Sequence, residues 1–125
     1  MSDYLKVVYS KDIRPYTKYP KKLIHYLFST FKMKEGMSIL ELGCGCGDHL
    51  RLFNDLGLNT YGTDLSPESL LFAKDLNISI CDLELGKLPY PDNHFDIVYS
   101  KSLLEHIRDP GKFLKEVYRV LKPEG

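Results

Sequence analysis

The stretch that decides the fold is SILELGCGCGDHLRLF, residues 38–53, where a short apolar run leads into three glycines and then into a segment with helical spacing. Gly43, Gly45 and Gly47 alternate with cysteines. A turn between a strand and a helix favours glycine because a positive φ costs glycine little. One glycine satisfies such a turn, so three at alternating positions predict a backbone that a ligand approaches closely.

The composition is typical of a globular chain and gives no sign of a nucleic-acid partner or a membrane span. Of its 125 residues, 43% are hydrophobic and 27% are charged, and 17 basic side chains balance 17 acidic ones. No net charge therefore attracts nucleic acid or an anionic membrane. No apolar run approaches the ~20 residues of a membrane span, and the N-terminus is too polar for a signal peptide. Three cysteines, two of them in the glycine loop, do not form a disulfide framework, so we expect a cytoplasmic location.

Apolar runs and helical patterns alternate along the chain. This alternation predicts an α/β fold with a parallel sheet and helices on both faces. In the last helix, the spacing predicts one buried face, which carries Phe113, Leu114, Val117 and Leu121. Residues 1–19 lack a clear period and are predicted to be an irregular N-terminal arm before a domain at 20–125. The predicted strands cover 37–43, 59–65, 77–83 and 95–100, and the predicted helices cover 19–33, 48–57, 66–76 and 109–122.

The spacing of the glycines argues against a dinucleotide ligand. The dinucleotide fingerprint G-x-G-x-x-G requires a third glycine at position 48, where this chain has Asp48. An acidic side chain at a helix N-terminus repels pyrophosphate. The Gly-Lys-Ser/Thr of a P-loop is also missing. The loop is therefore predicted to bind a ligand without a polyphosphate, which disfavours a nicotinamide oxidoreductase.

Four motifs in order resemble those of the class I S-adenosylmethionine-dependent methyltransferases, in their broad small-molecule type. Four motifs in the family's order are far more specific than one glycine loop. The resemblance implies a Rossmann-like, doubly wound parallel sheet with strand order 3-2-1-4 in the part present. The motifs are ILELGCGCG (39–47), YGTDLS (61–66), CDLELGKLPYPDNHFDIVYSKSLLEHI (81–107) and EVYRVLKPEG (116–125).

The resemblance also implies which residues hold S-adenosylmethionine and its product S-adenosylhomocysteine. Glu41 is expected to bind the ammonium group, and Asp64 both ribose hydroxyls. Asp82 is expected to accept a hydrogen bond from the adenine amino group, with Leu83 on the ring and Ser100 near the methionine tail. The complete expected set is Glu41, Leu42, Gly43, Cys44, Gly45, Gly47, Asp64, Leu65, Cys81, Asp82, Leu83 and Ser100.

Some of these side chains have other interpretations. Asp64 and Asp82 are also compatible with ordinary loop carboxylates. Cys44 and Cys46 have a C-x-C spacing that could form half of a thiolate metal site. Only one further cysteine exists, and no His/Cys pair completes a closed zinc set, so we expect no metal.

The resemblance implies methyl transfer to a small-molecule acceptor. No catalytic residue is assigned, because the sulfonium is already activated and the rate comes mostly from alignment of the reactants. His106 is compatible either with facing the acceptor or with a packing role. The alternative function is a non-catalytic module that keeps the fold for cofactor binding or assembly.

The chain stops at LKPEG, where members of the family continue into a fifth strand. Either the chain is a fragment of a longer protein or another chain covers the edge of the fourth strand. We expect a fragment, with the C-terminal strands of the fold absent. An exposed apolar strand edge favours association. The isolated chain is thus expected to self-associate through the fourth strand and to have little or no methyl transfer activity.

Overall fold

Helices and strands alternate along the part of the chain that the structure describes. The structure is a computed structural model that describes residues 19–67, 69–72, 75–83, 87–100 and 107–125. The predicted N-terminal arm, apart from Tyr19, and His106 lie outside these residues. The elements are α1 (Tyr19–Thr30), β1 (Ser38–Leu42), α2 (Asp48–Asp55), β2 (Asn59–Asp64), α3 (Ser69–Phe72), β3 (Ile78–Ile80), β4 (Ile97–Ser100) and α4 (Pro110–Val120).

The strands form a parallel sheet in the order β3-β2-β1-β4, which confirms the predicted fold. At the carboxyl edge, Leu42 of β1 lies beside Thr63 of β2 and Ser100 of β4. Asp64, the last residue of β2, pairs with Ile80, the last residue of β3. The register therefore brings the ends of all four strands to one edge of the sheet.

The two faces of the sheet are covered by different helices. On one face, Ile39 packs with Ile24 of α1 and Phe53 of α2. On the other face, Leu40 packs with Phe113 of α4. Neighbouring residues of a strand point to opposite faces, so this alternation in β1 is what a doubly covered sheet requires.

Helix α4 buries a narrower stripe than its sequence predicts. Phe113 and Val120 are buried, and Val117 packs against the same cluster. The prediction that Leu114 shares this face is wrong, because its side chain is 51% exposed. Leu114 lies one helical turn before Tyr118, which is 83% exposed, so both belong to the solvent side of the helix.

One arginine of α4 connects the helix to the loop that precedes β4. The guanidinium of Arg119 donates to Glu116 at 2.8 Å, to Asp92 at 2.7 Å and to the carbonyl oxygen of Leu88 at 3.0 Å. Glu116 in turn accepts a hydrogen bond of 2.7 Å from the Leu88 amide. These contacts hold the start of the loop on the helix and so guide the chain into β4.

Candidate functional site

The glycine loop between β1 and α2 uses a left-handed backbone at every glycine. The φ angles are 72° at Gly43, 57° at Gly45 and 83° at Gly47. The expectation that one glycine satisfies the turn is wrong. All three φ angles lie in the left-handed region, which residues with a side chain rarely adopt. The turn itself therefore requires all three glycines, and the close approach of a ligand is an additional role that stays a prediction.

Backbone hydrogen bonds fix this loop over the end of β2. The amides of Gly43 and Cys44 both donate to the carbonyl oxygen of Thr63, at 2.8 and 2.9 Å. The Gly45 amide donates to the carboxylate of Asp64 at 3.3 Å. The loop and the last residue of β2 consequently form one unit.

Asp64 is a partly buried carboxylate that accepts two backbone hydrogen bonds. One oxygen accepts from Gly45 and the other from the Ser66 amide at 3.2 Å. Burial raises the pKa of Asp64 above its usual 3.8, and the hydrogen bonds from Ser66 and Gly45 oppose that rise. Each carboxylate oxygen has two acceptor positions, so capacity remains for two further donors.

Glu41 lies on the face of the sheet that α2 covers. It is 4% exposed and alternates in β1 with Leu40 and Leu42, which pack on the α4 side. Its neighbour in the register is Tyr99 of β4, whose hydroxyl lies 3.2 Å from Nδ1 of His49 in α2. No local motif marks His49 or Tyr99, and sequence reasoning missed both.

The residues after β3 form one wall of a small pocket. The Cys81 amide donates to the Asp64 carbonyl oxygen at 2.8 Å, which extends the pairing of β3 with β2. Asp82 and Leu83 then line a pocket of about 290 Å³. Sequence reasoning missed the opposite wall, which comes from a segment more than twenty residues later. That wall consists of Ile107, Arg108, Asp109, Lys112 and Phe113.

The remaining predicted residues lie at the same edge but differ in what they expose. Leu65 follows β2 with 40% of its surface exposed, and Ser100 ends β4 with an exposed side chain. Leu42 is only 1% exposed, because its side chain packs in the core with Phe113. Leu42 therefore offers the site its backbone alone.

The three cysteines are all free thiols. Burial, followed by the charges of Glu41 and Asp64, raises the pKa of the Cys44 thiol far above its usual value. Cys46 donates from its sulfur to Asp48 at 3.2 Å. Within the described ranges, no group of three or more His, Cys, Asp or Glu side chains is placed to hold a metal ion. No described helix is both long enough and apolar enough to cross a membrane.

The chain is similar to several methyltransferases. Residues 40–125 match the protein family described as "Methyltransferase domain". Cycloartenol-C-24-methyltransferase 1 of Oryza sativa subsp. japonica is 35% identical over 112 residues, which cover 82% of this chain and 33% of that protein. Phosphoethanolamine N-methyltransferase 3 of Arabidopsis thaliana is 33% identical over 100 residues, which cover 74% of this chain and 20% of that protein. The chain thus spans a third or less of the length of these two relatives.

Solved structures share the fold. A SAM-dependent methyltransferase from Aquifex aeolicus superposes with a TM-score of 0.76 and 26% identity, over 98% of this chain and 68% of that chain. A protein named as a [4+2]-cyclase superposes with a TM-score of 0.70 and 30% identity, over 82% of this chain and 42% of that chain.

Together, a 3-2-1-4 parallel sheet and a glycine loop beside an acidic strand end define a Rossmann-like domain. The chain belongs to the methyltransferase domain family. The resemblance of its motifs to the class I S-adenosylmethionine-dependent methyltransferases is confirmed.

Proposed function

We propose that this chain binds S-adenosylmethionine and forms the cofactor-binding portion of a methyltransferase with a small-molecule acceptor. The observation that carries the proposal is the unit formed by the glycine loop and Asp64, where the carboxylate accepts from the Gly45 and Ser66 amides. The remaining acceptor positions of the Asp64 carboxylate suit the two hydroxyls of a ribose. A ligand without phosphates also suits a loop that is followed by the acidic Asp48.

The other predicted residues complete the proposed cofactor site. Glu41 would hold the ammonium group, while the exposed Ser100 at the end of β4 would lie near the methionine tail. The pocket lined by Asp82 and Leu83 would receive the adenine, and Phe113 and Ile107 give it an apolar wall. When bound, the sulfonium supplies an activated methyl group, so the protein's main task is to position the cofactor and the acceptor.

The acceptor is proposed at the level of chemical class. The names of similar proteins specify cycloartenol, phosphoethanolamine and 2-methyl-6-phytyl-1,4-hydroquinone as substrates. These compounds differ in polarity and in the atom methylated, but all are small molecules. A small-molecule acceptor is therefore proposed without further detail. We also propose a cytoplasmic location, which three free thiols support.

Calorimetry with S-adenosylhomocysteine, S-adenosylmethionine and NAD tests the cofactor proposal. We expect the first two to bind and NAD not to bind. Asp64→Ala should weaken binding by at least about 10-fold, because each hydrogen bond to a charged group contributes about 1.5–3 kcal/mol. Asp55→Ala, at an exposed position at the end of α2, is the matched control and should leave binding unchanged.

Thermal unfolding of each variant separates lost binding from lost folding. Asp64→Asn serves as a second variant, because it keeps one acceptor oxygen and the size of the side chain. Unchanged affinity in a folded Asp64→Ala chain would disprove the ribose assignment. Tight binding of NAD would disprove the cofactor proposal as a whole.

A non-catalytic or non-methylating role is the second candidate. The protein named as a [4+2]-cyclase has the same fold, so the fold alone does not define the reaction. A product assay with radiolabelled S-adenosylmethionine and candidate acceptors distinguishes the two. Cofactor binding without transfer to any acceptor would favour the second candidate.

We further propose that the 125-residue chain self-associates along β4. In the described part of the chain, β4 pairs with β1 on one side only, and Phe95 forms a single bridge to Leu121 on the other. A groove of about 930 Å³ follows this free edge, and Phe31, which is 67% exposed, lines it. Light scattering should show dimers or larger species that Phe31→Glu reduces. A monomer at all concentrations would contradict this proposal.

A further inference from the structure

A side-chain contact joins α2 to β4 close to the proposed cofactor site. The Tyr99 hydroxyl lies 3.2 Å from Nδ1 of His49, and the centroids of the two rings are 5.9 Å apart. His49 is the second residue of α2, immediately after the glycine loop, and is only 8% exposed. The Tyr99 ring also packs edge-on against Phe53 at 5.2 Å, so its orientation is fixed by two partners from one helix.

The same contact lies beside Glu41. Tyr99 is the register neighbour of Glu41 across the β1–β4 pair. Side chains at paired positions of neighbouring strands project from the same face of a sheet. Glu41 and Tyr99 therefore both project from the face of the sheet that α2 covers.

The glycine loop is held differently on its two sides. Toward β2, the Gly43, Cys44 and Gly45 amides donate to Thr63 and Asp64. Toward β4, the Tyr99 hydroxyl lies within hydrogen-bonding distance of the His49 side chain at the start of α2. Loss of this hydrogen bond would remove one contact between the first turn of α2 and β4.

We infer that His49 and Tyr99 are positioning residues for the amino-acid end of the cofactor. They act through their neighbours: the pair holds the start of α2 against β4 and thereby fixes the distance between the glycine loop and Glu41. This inference rests on the proposed function, in which Glu41 binds the ammonium group. Neither residue is assigned to proton transfer.

Binding of two related ligands tests this role. S-adenosylhomocysteine has the amino-acid end, whereas 5′-methylthioadenosine shares the adenosine portion and lacks that end. In calorimetry, Tyr99→Phe and His49→Leu should each weaken the binding of S-adenosylhomocysteine by about 5- to 20-fold, which is the effect of losing one partly buried hydrogen bond. Binding of 5′-methylthioadenosine should change by less than about twofold. His49→Asn places a polar atom near the position of Nδ1 and should restore most of the affinity.

A control variant and a test of folding accompany these binding measurements. Tyr118→Phe is the matched control, since Tyr118 is 83% exposed on α4, and it should affect neither ligand. Thermal unfolding identifies any variant that does not fold, and the comparison of His49→Asn with His49→Leu remains available if Tyr99→Phe is such a variant.

Equal weakening of both ligands would overturn the inference, because it would indicate a general structural role. Unchanged affinity for S-adenosylhomocysteine in Tyr99→Phe and His49→Leu would also overturn it. A wild-type chain that binds neither ligand would instead refute the proposed function, and the inference with it.

Discussion

Gly62 in the middle of β2 packs against both helix α2 and the glycine loop. A Cβ atom at this residue would lie 2.8 Å from Cδ2 of Leu50 and 2.9 Å from Sγ of Cys44. Ordinary contacts between such atoms are about 3.5–4.0 Å, so Gly62→Ala overlaps both side chains. Leu50 is fully buried and Cys44 is 6% exposed, so neither has free space to move into.

The expected cost follows from two opposing effects. Overpacking of a tight core costs about 1–3 kcal/mol. Alanine in place of glycine restricts the unfolded chain and returns about 0.4–1 kcal/mol where the backbone is compatible, as it is in a strand. The net prediction is a loss of about 1–2 kcal/mol in the free energy of unfolding, which lowers Tm by roughly 4–10 °C.

Urea denaturation of four variants measures this effect: Gly62→Ala, Gly111→Ala, Cys44→Ala and the double variant of Cys44 and Gly62. Gly111→Ala is the matched control, because its Cβ would meet only Asp109 at 3.7 Å, and it should stabilise the helix by about 0.5–1 kcal/mol. Cys44→Ala combined with Gly62→Ala should cost less than the sum of the single changes, since the thiol is one of the overlapping groups. A Gly62→Ala chain as stable as wild type, or additive effects in the double variant, would refute the reasoning.

Three other changes have defined outcomes. Gly45→Val should abolish S-adenosylhomocysteine binding in calorimetry and also lower Tm, because a φ of 57° is strained for a branched residue. Arg119→Met should lower the free energy of unfolding in urea by about 1–3 kcal/mol, because Glu116 is then a half-buried carboxylate without its cation. In acid, the hydrogen bond from the Ser38 amide holds the pKa of Asp96 below 3.8, so its stabilisation is complete above that pH and is lost as the pH falls through the lowered value. Urea midpoints from pH 5 to 2 should therefore fall less steeply in Asp96→Asn.

Each of these outcomes has a clear contradiction. Wild-type affinity in Gly45→Val would show that the loop tolerates a side chain. An Arg119→Met chain with wild-type stability would show that the contacts of Arg119 and Glu116 do not contribute. Identical pH profiles for wild type and Asp96→Asn would show that the Ser38 hydrogen bond does not persist in solution.

Local sequence patterns predicted the order of the elements that the structure describes, whereas the location of the cofactor site stays a prediction. The strand–glycine–helix transition at residues 38–55 needs only short-range turn chemistry and periodicity, and the structure follows it. In a parallel sheet all carboxyl ends meet at one edge, so Asp64, Asp82 and Ser100, which end or follow predicted strands, could be expected in one region once the family resemblance had implied the strand order. The strand–glycine–helix transition depends on interactions within a few residues, so it can be predicted from a short stretch of sequence.

The tertiary structure alone decided which side chains meet. His49 and Tyr99 are 50 positions apart, and their contact depends on the register of β4 against β1 and on how α2 lies over the sheet. Ile107 reaches the pocket of Asp82 by the same kind of long-range placement. Even the buried stripe of α4, which excludes Leu114, depends on the rotation of the helix about its axis. Such rotations and registers result from the packing of the whole core, so no short segment contains the information that selects them.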